Sequence, residues 1–162
     1  MVAQVRGDQQ LRDLSLRLRE MGTEGKGLRR ELYRAINDAA APLTKQIVDP
    51  AWLYPYMPNR YARDDLAPDL AVTTVKRGGQ RASVLIRARG RTRDRQVTRL
   101  NAGLIKHPVF ARKGTPRRDW HWVVQTKGMR SGFFTDAVRS QAPDIREKVL
   151  AAVHDVGKKI TS

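Results

Sequence analysis

The sequence predicts an α+β fold: a small antiparallel sheet with a protruding β-hairpin, packed against a long N-terminal helix and a C-terminal helix. Three observations predict it. Leu28, Leu32, Ile36, Ala40, Leu43 and Ile47 recur at helical spacing, an apolar stripe of about five turns. Two short alternating runs flank Gly78-Gly79, the signal of a hairpin whose turn residues can take positive φ. Near the C-terminus Ala137, Ile145, Val149, Ala152, Val153 and Val156 form a second helical stripe. With 162 residues, the chain is expected to form a single domain, 1–162, around its own core. Within it, residues 1–25 form an N-terminal helical extension and 76–118 a basic hairpin/loop region.

Leu11, Leu14, Leu18 and Met21 mark residues 9–20 as a short amphipathic helix, after which Gly22, Gly25 and Gly27 punctuate the chain. On the long helix Arg29, Arg30, Arg34, Asp38 and Lys45 occupy the other faces. Pro42 predicts a kink or break near Ala39, and Pro50 marks the end. Residues 50–68 combine Pro50, Pro55, Pro58 and Pro68 with Trp52, Tyr54, Tyr56 and Tyr61. That segment reads as irregular, too rich in proline for a helix or a central strand. Strands are expected where Leu70, Val72 and Thr74 alternate with Ala71, Thr73 and Val75, and where Val84 and Ile86 alternate with Ser83, Leu85 and Arg87. A third strand is expected at Trp120–Gln125. Gly132 then leads into the last helix, which Pro143 breaks or restarts.

Charge is concentrated in one stretch. Residues 76–130 hold sixteen Lys and Arg against two acids, Asp94 and Asp119, a net +14 of the chain's formal +16. Within it Arg87, Arg89, Arg91, Arg93 and Arg95 stand at every second position, with Arg99 just beyond. If that run is extended, the five guanidinium groups of the comb share one edge at roughly 6.6 Å intervals and repel one another unless an anionic partner or solvent absorbs them. The absence of cysteine excludes disulfides and thiolate metal sites. No apolar run approaches the roughly 20 residues that span a bilayer, and the N-terminus has no signal-peptide core, so a soluble, non-exported protein is expected.

Catalytic chemistry finds little support. The histidines are His107, His121 and His154, and no two share metal-ligand spacing. His107 precedes Pro108 and reads as a turn residue, His121 faces away from Trp120 and Trp122, and His154 falls on the polar side of a helix. Asp64, Asp65 and Asp69 stand near Arg60 and Arg63, which suggests a salt-bridged loop more than a metal site. A phosphate loop, a nucleophile elbow and a Walker-type lysine are all missing. A basic ribonuclease built on His107 and His121 is a third reading that nothing in the spacing demands. The expectation is a protein that is not an enzyme and carries no metal or other cofactor.

The basic segment admits three readings. Lys and Arg neutralise phosphates, so a small nucleic-acid-binding protein is one. The aromatics, however, lie at 52–61 and 120–134, so the interleaving of a stacking single-strand binder is missing. Docking onto an acidic protein surface is the second, and a solvated basic face the third.

The order His107-Pro108-Val109-Phe110, then Trp122-Val123-Val124-Gln125, then Gly132-Phe133-Phe134-Thr135-Asp136-Ala137 resembles the gp-ten-like minor tail proteins of siphoviruses. The resemblance covers roughly residues 26–156; Ala111 and Ser131 depart from the glycine and proline that are frequent in the motif. It implies a tail-completion or head-to-tail joining protein of the virion, assembled in the host cytoplasm, with a C-terminal helix entered through a Gly-Phe-Phe turn. The implied partners are copies of itself in a hexameric ring, the tail tube or terminator protein, and the head connector, with packaged DNA as a further contact of the basic segment and no membrane. The neighbouring tail-terminator role would bury similar surfaces. His107, Pro108, Phe110, Trp122, Gly132, Phe133 and Phe134 are the motif's turn and aromatic anchors. Arg87, Arg89, Arg91, Arg93, Arg95 and Arg99 would face a partner; acidic protein is preferred over DNA, because strong attraction in the channel would slow ejection.

Overall fold

The computed structural model describes residues 1–6, 9–78, 83–109, 116 and 120–161. In chain order these form β1 (Val2–Arg6), α1 (Gln9–Glu20), α2 (Gly25–Val48), α3 (Pro50–Leu53), β2 (Leu70–Arg77), β3 (Ser83–Gly90), α4 (Asp94–Asn101), β4 (Ile105–Val109), β5 (His121–Gln125) and α5 (Phe133–Thr161). This is the mixed helix-and-sheet class the sequence predicts, with both long helices in place. The strands nevertheless form two sheets, β1-β3-β2 and β4-β5. β1 pairs antiparallel with β3, Val2 opposite Arg87 and Arg6 opposite Ser83. Five residues separate β2 from β3, too few for a parallel crossover, so this neighbouring pair is a hairpin. Gly79, half of the predicted turn, lies outside the described residues.

The chain divides into two compact units. One comprises Val2–Lys45, Thr73–Arg87 and Val138–Ser162. Here Leu11, Leu14 and Leu18 of α1 are buried, as are Leu32, Ile36, Ala40 and Leu43 of α2 and Ile145, Val149, Val153 and Val156 of α5. α2 starts hard against α1: a Cβ on Gly25 would stand 2.2 Å from the Leu18 carbonyl oxygen, and the Arg29 guanidinium donates to that oxygen at 2.9 Å. On β2, Lys76 donates to Asn37 Oδ1 at 2.8 Å and lies over the Tyr33 ring, tying strand to α2. An ion pair between Lys159 and Glu31 links α5 to α2. The predicted breaks do not occur, since Pro42 sits inside α2 and Pro143 inside α5. An interior proline costs roughly 3 kcal/mol. Each fully buried aliphatic side chain contributes about 1.5–3 kcal/mol, and Ile36, Leu43 and Ile47 around Pro42, like Ile145 and Val149 after Pro143, outweigh that cost.

The other unit comprises Met1, Gln46–Val72 and Ala88–Ala137. Its proline-rich segment, expected to be irregular, coils into short helical turns instead. Asp49 caps α3 by accepting from Ala51 N at 2.8 Å, with Pro50 at the first position, where a missing N–H costs nothing. A 3-10 turn follows at Tyr54–Tyr56, and Asn59 Oδ1 accepts from Ala62 N to start a π turn at Ala62–Leu66. Leu53, Tyr56, Met57, Leu66, Val97, Leu100, Ile105, Phe133 and Phe134 are buried in this unit. Among the described residues no helix is long and apolar enough to cross a membrane.

Candidate functional site

The arginine comb is not one extended edge. Only Arg87 and Arg89 lie on β3, which ends at Gly90; Arg91 and Arg93 belong to a turn, and Arg95 and Arg99 to α4. The side chain that bends the chain is Asp69, just before β2. Its carboxylate accepts from Thr92 N at 2.9 Å, Thr92 Oγ1 at 2.8 Å and Arg93 N at 3.0 Å, while its carbonyl accepts from Arg91 N at 2.9 Å. Gly90 is needed for this approach, because a Cβ there would stand 2.7 Å from Asp69 Oδ2 and from the Arg93 carbonyl. Burial pushes the Asp69 carboxyl up, but the Thr92 and Arg93 hydrogen bonds and the Arg93 charge outweigh it and hold the group below the ordinary aspartate value. Its neighbours divide differently from the predicted loop. Arg60 pairs with Asp64 at 2.9 Å on the surface, and Asp65 pairs with Arg93, whose guanidinium also donates to the Asp65 carbonyl at 3.0 Å. Arg63 turns to the Met57 carbonyl and the Tyr54 ring.

α4 is amphipathic, burying Gln96, Val97 and Leu100. The buried Gln96 amide works as a substitute strand edge: Nε2 donates to the Lys106 carbonyl at 2.5 Å and Oε1 accepts from Lys106 N at 3.3 Å. This fixes α4 against β4 and sets its basic face, Arg95 and Arg99, beside β5. A cleft of about 460 Å³ results, lined by Tyr61, Thr92, Arg93, Arg95, Gln96, Arg99 and Trp122. Tyr61 meets Trp122 edge-to-face with centroids 5.9 Å apart, and Trp120 lies 6.0 Å from Trp122 at 31°. Arg93 is held by Asp65, but among the described residues no salt bridge reaches Arg95 or Arg99. Four residues apart on one helix, these two cations repel, and an anion between them would relieve that repulsion. The arrangement suits a ligand with a negative group and a flat apolar part.

The motif residues converge within the same unit. His107 and Pro108, expected in a turn, lie in β4 opposite Val123 and Trp122 of β5. Among the described residues this sheet has two strands, so each has an edge at which a proline's missing N–H is tolerated. Phe110 lies outside the described residues. Gly132 has φ +93°, a conformation that favours glycine, and a Cβ there would strike the Asp136 carboxylate at 2.5 Å. Asn101, at the end of α4, latches the corner: its carbonyl accepts from Gly132 N at 2.8 Å, and its Oδ1 accepts from Phe134 N at 3.0 Å and Thr135 N at 3.2 Å. Phe133 and Phe134 are fully buried. The Phe133 ring meets Tyr56 edge-on at 6.3 Å, its carbonyl accepts from Trp52 Nε1 at 2.8 Å, and Arg130 lies over Tyr56. The partner of this corner is therefore the aromatic segment at 52–56.

Sequence reasoning missed Asp69, Gln96 and Asn101 as organisers. A signal existed for one of them: Asn101-Ala102-Gly103 has the composition of a helix end, and Gly103 takes φ +76°. Tyr61 was separated from the arginines by some thirty residues in sequence, which hid the aromatic wall of the cleft. Comparison with protein-family models, with curated proteins and with solved structures gives no match to this chain.

Proposed function

We propose that this protein is a structural subunit of a bacteriophage neck, completing the tail and joining it to the head connector, and that it acts by assembly and not by catalysis. The observation that carries the reading is the convergence of the motif stretches. His107-Pro108 pairs directly with Trp122-Val123, and Gly132-Phe133-Phe134 is latched to the end of the helix that precedes β4. The resemblance implies a long N-terminal helix, a sheet bearing a β-hairpin and a C-terminal helix entered through a Gly-Phe-Phe turn, and elements of each kind are present in that chain order. In this reading the corner organises the subunit, and the basic surface meets acidic faces of neighbouring rings. The test is disruption of the gene in the phage or prophage genome that carries it, with negative-stain electron microscopy of the particles. Full heads beside unattached or abnormally finished tails are expected. Normal, infectious virions would remove the neck role.

A further inference from the structure

We propose that the cleft between α4, β5 and Tyr61 is a binding site for single-stranded nucleic acid, seating one nucleotide with its phosphate on Arg95 and Arg99 and its base against Trp122. The sequence argued against such a site, since aromatics and arginines occupy different stretches. The fold removes that objection by bringing Tyr61 and Trp122 into the same wall as Arg93, Arg95 and Arg99. The volume, about 460 Å³, lies within the range of small-ligand sites. Arg93 is held in place by Asp65, so it shapes the wall, while no salt bridge among the described residues reaches Arg95 or Arg99, which supply the charge. Their planar forks suit phosphate oxygens. The buried Gln96 amide fixes their helix, so little ordering is left for binding. An acidic peptide would use the arginines but leave the aromatic wall unexplained. A duplex would present phosphates but keep its bases stacked inside. An unpaired base satisfies both halves of the site, as in strand-binding grooves that combine cations with stacking rings. The site stands apart from the neck role, which particle imaging tests on its own.

The experiment is a titration of the full chain with a fluorescently labelled ten-nucleotide oligo(dT), read by anisotropy and by intrinsic tryptophan emission over a series of salt concentrations. A chain of +16 attracts any polyanion, so the site variant Arg95→Gln/Arg99→Gln is compared with Arg12→Gln/Arg19→Gln, which removes equal charge from exposed positions of α1. The site variant should lose about tenfold in affinity, and its salt slope should fall by about 0.7, one single-strand phosphate contact. The α1 variant should lose no more than a third of that on a logarithmic scale. Tryptophan quenching should accompany binding and largely vanish in Trp122→Phe, which keeps a ring in the wall. Equal losses in the two double variants would overturn the site. So would quenching unchanged in Trp122→Phe, or a duplex bound as tightly as the single strand. Polyglutamate competing as well as oligo(dT), with the same dependence on Arg95 and Arg99, would replace it with an acidic-protein dock.

Discussion

Replacing Asn101 by alanine tests the latch that starts α5. Its Oδ1 accepts from two backbone N–H groups, those of Phe134 and Thr135, which have no intrahelical partner in the first turn of a helix. Loss of an Asn cap to alanine typically costs about 1 kcal/mol, within a range of about 0.5–2. Both bonds go at once, and the Phe134 N–H sits beside a side chain that is 1% exposed, so water cannot easily replace the acceptor. The upper half of that range follows, about 1–2 kcal/mol. For a chain of 162 residues this lowers Tm by roughly 2–8 °C, at about 2–4 °C per kcal/mol. Thermal melts followed by circular dichroism measure it. Asn101→Asp serves as the control, because a carboxylate accepts the same two bonds, and its charge is favourable at the start of α5 but unfavourable at the end of α4, so the two dipole effects offset. It should melt near the parent temperature. An alanine variant within a degree of the parent, or an aspartate variant as unstable as alanine, would refute the latch.

Three further outcomes follow from the same geometry. Asp69→Asn should cost about 1–3 kcal/mol at neutral pH, because a charged acceptor of three bonds is weakened. The folded-state pKa is depressed, so the stabilisation is complete above the ordinary aspartate pKa of about 3.9 and fades as pH falls through the lower folded value. Urea titrations of parent and variant should therefore converge in acid and separate towards neutrality. Gly90→Ala must place a Cβ 2.7 Å from the Arg93 backbone and should destabilise by about 1–3 kcal/mol, visible as a lower urea midpoint at unchanged slope. Trp52→Phe keeps the ring but removes the donor to the Phe133 carbonyl, so a loss of about 1 kcal/mol is expected in the same assay.

What could be read from the chain alone was whatever repeats locally. The stripes of α1, α2 and α5 were legible because helical spacing records which side chains are buried, and Leu11, Leu32, Ile36, Leu43, Val149 and Val153 are indeed inside. Strands were legible at 70–75 and 83–87 from alternation and the Gly78-Gly79 signal, and at 120–125, where the structure has β2 running on to Arg77, β3 to Gly90 and β5 starting at His121. β1 was not, for its five residues acquire strand character only by pairing with β3. β4 was hidden by His107-Pro108, whose turn-like composition a two-stranded sheet tolerates.

The candidate site divides in the same way. Composition determined that the stretch from 76 to 130 is strongly basic, because net charge is a count that folding cannot alter. Tertiary structure alone decided how those charges are arranged. Arginines at alternate positions would line one edge of an extended strand, yet Asp69, more than twenty residues upstream, captures the Thr92 and Arg93 amides and turns the chain into α4. A capping bond between distant residues leaves no periodic trace in either segment. The same holds for Gln96 against Lys106, for Asn101 at the start of α5, and for Tyr61 beside Trp122. Local periodicity determined the helices and most strands, while single long-range hydrogen bonds and ring contacts decided which face the arginines present.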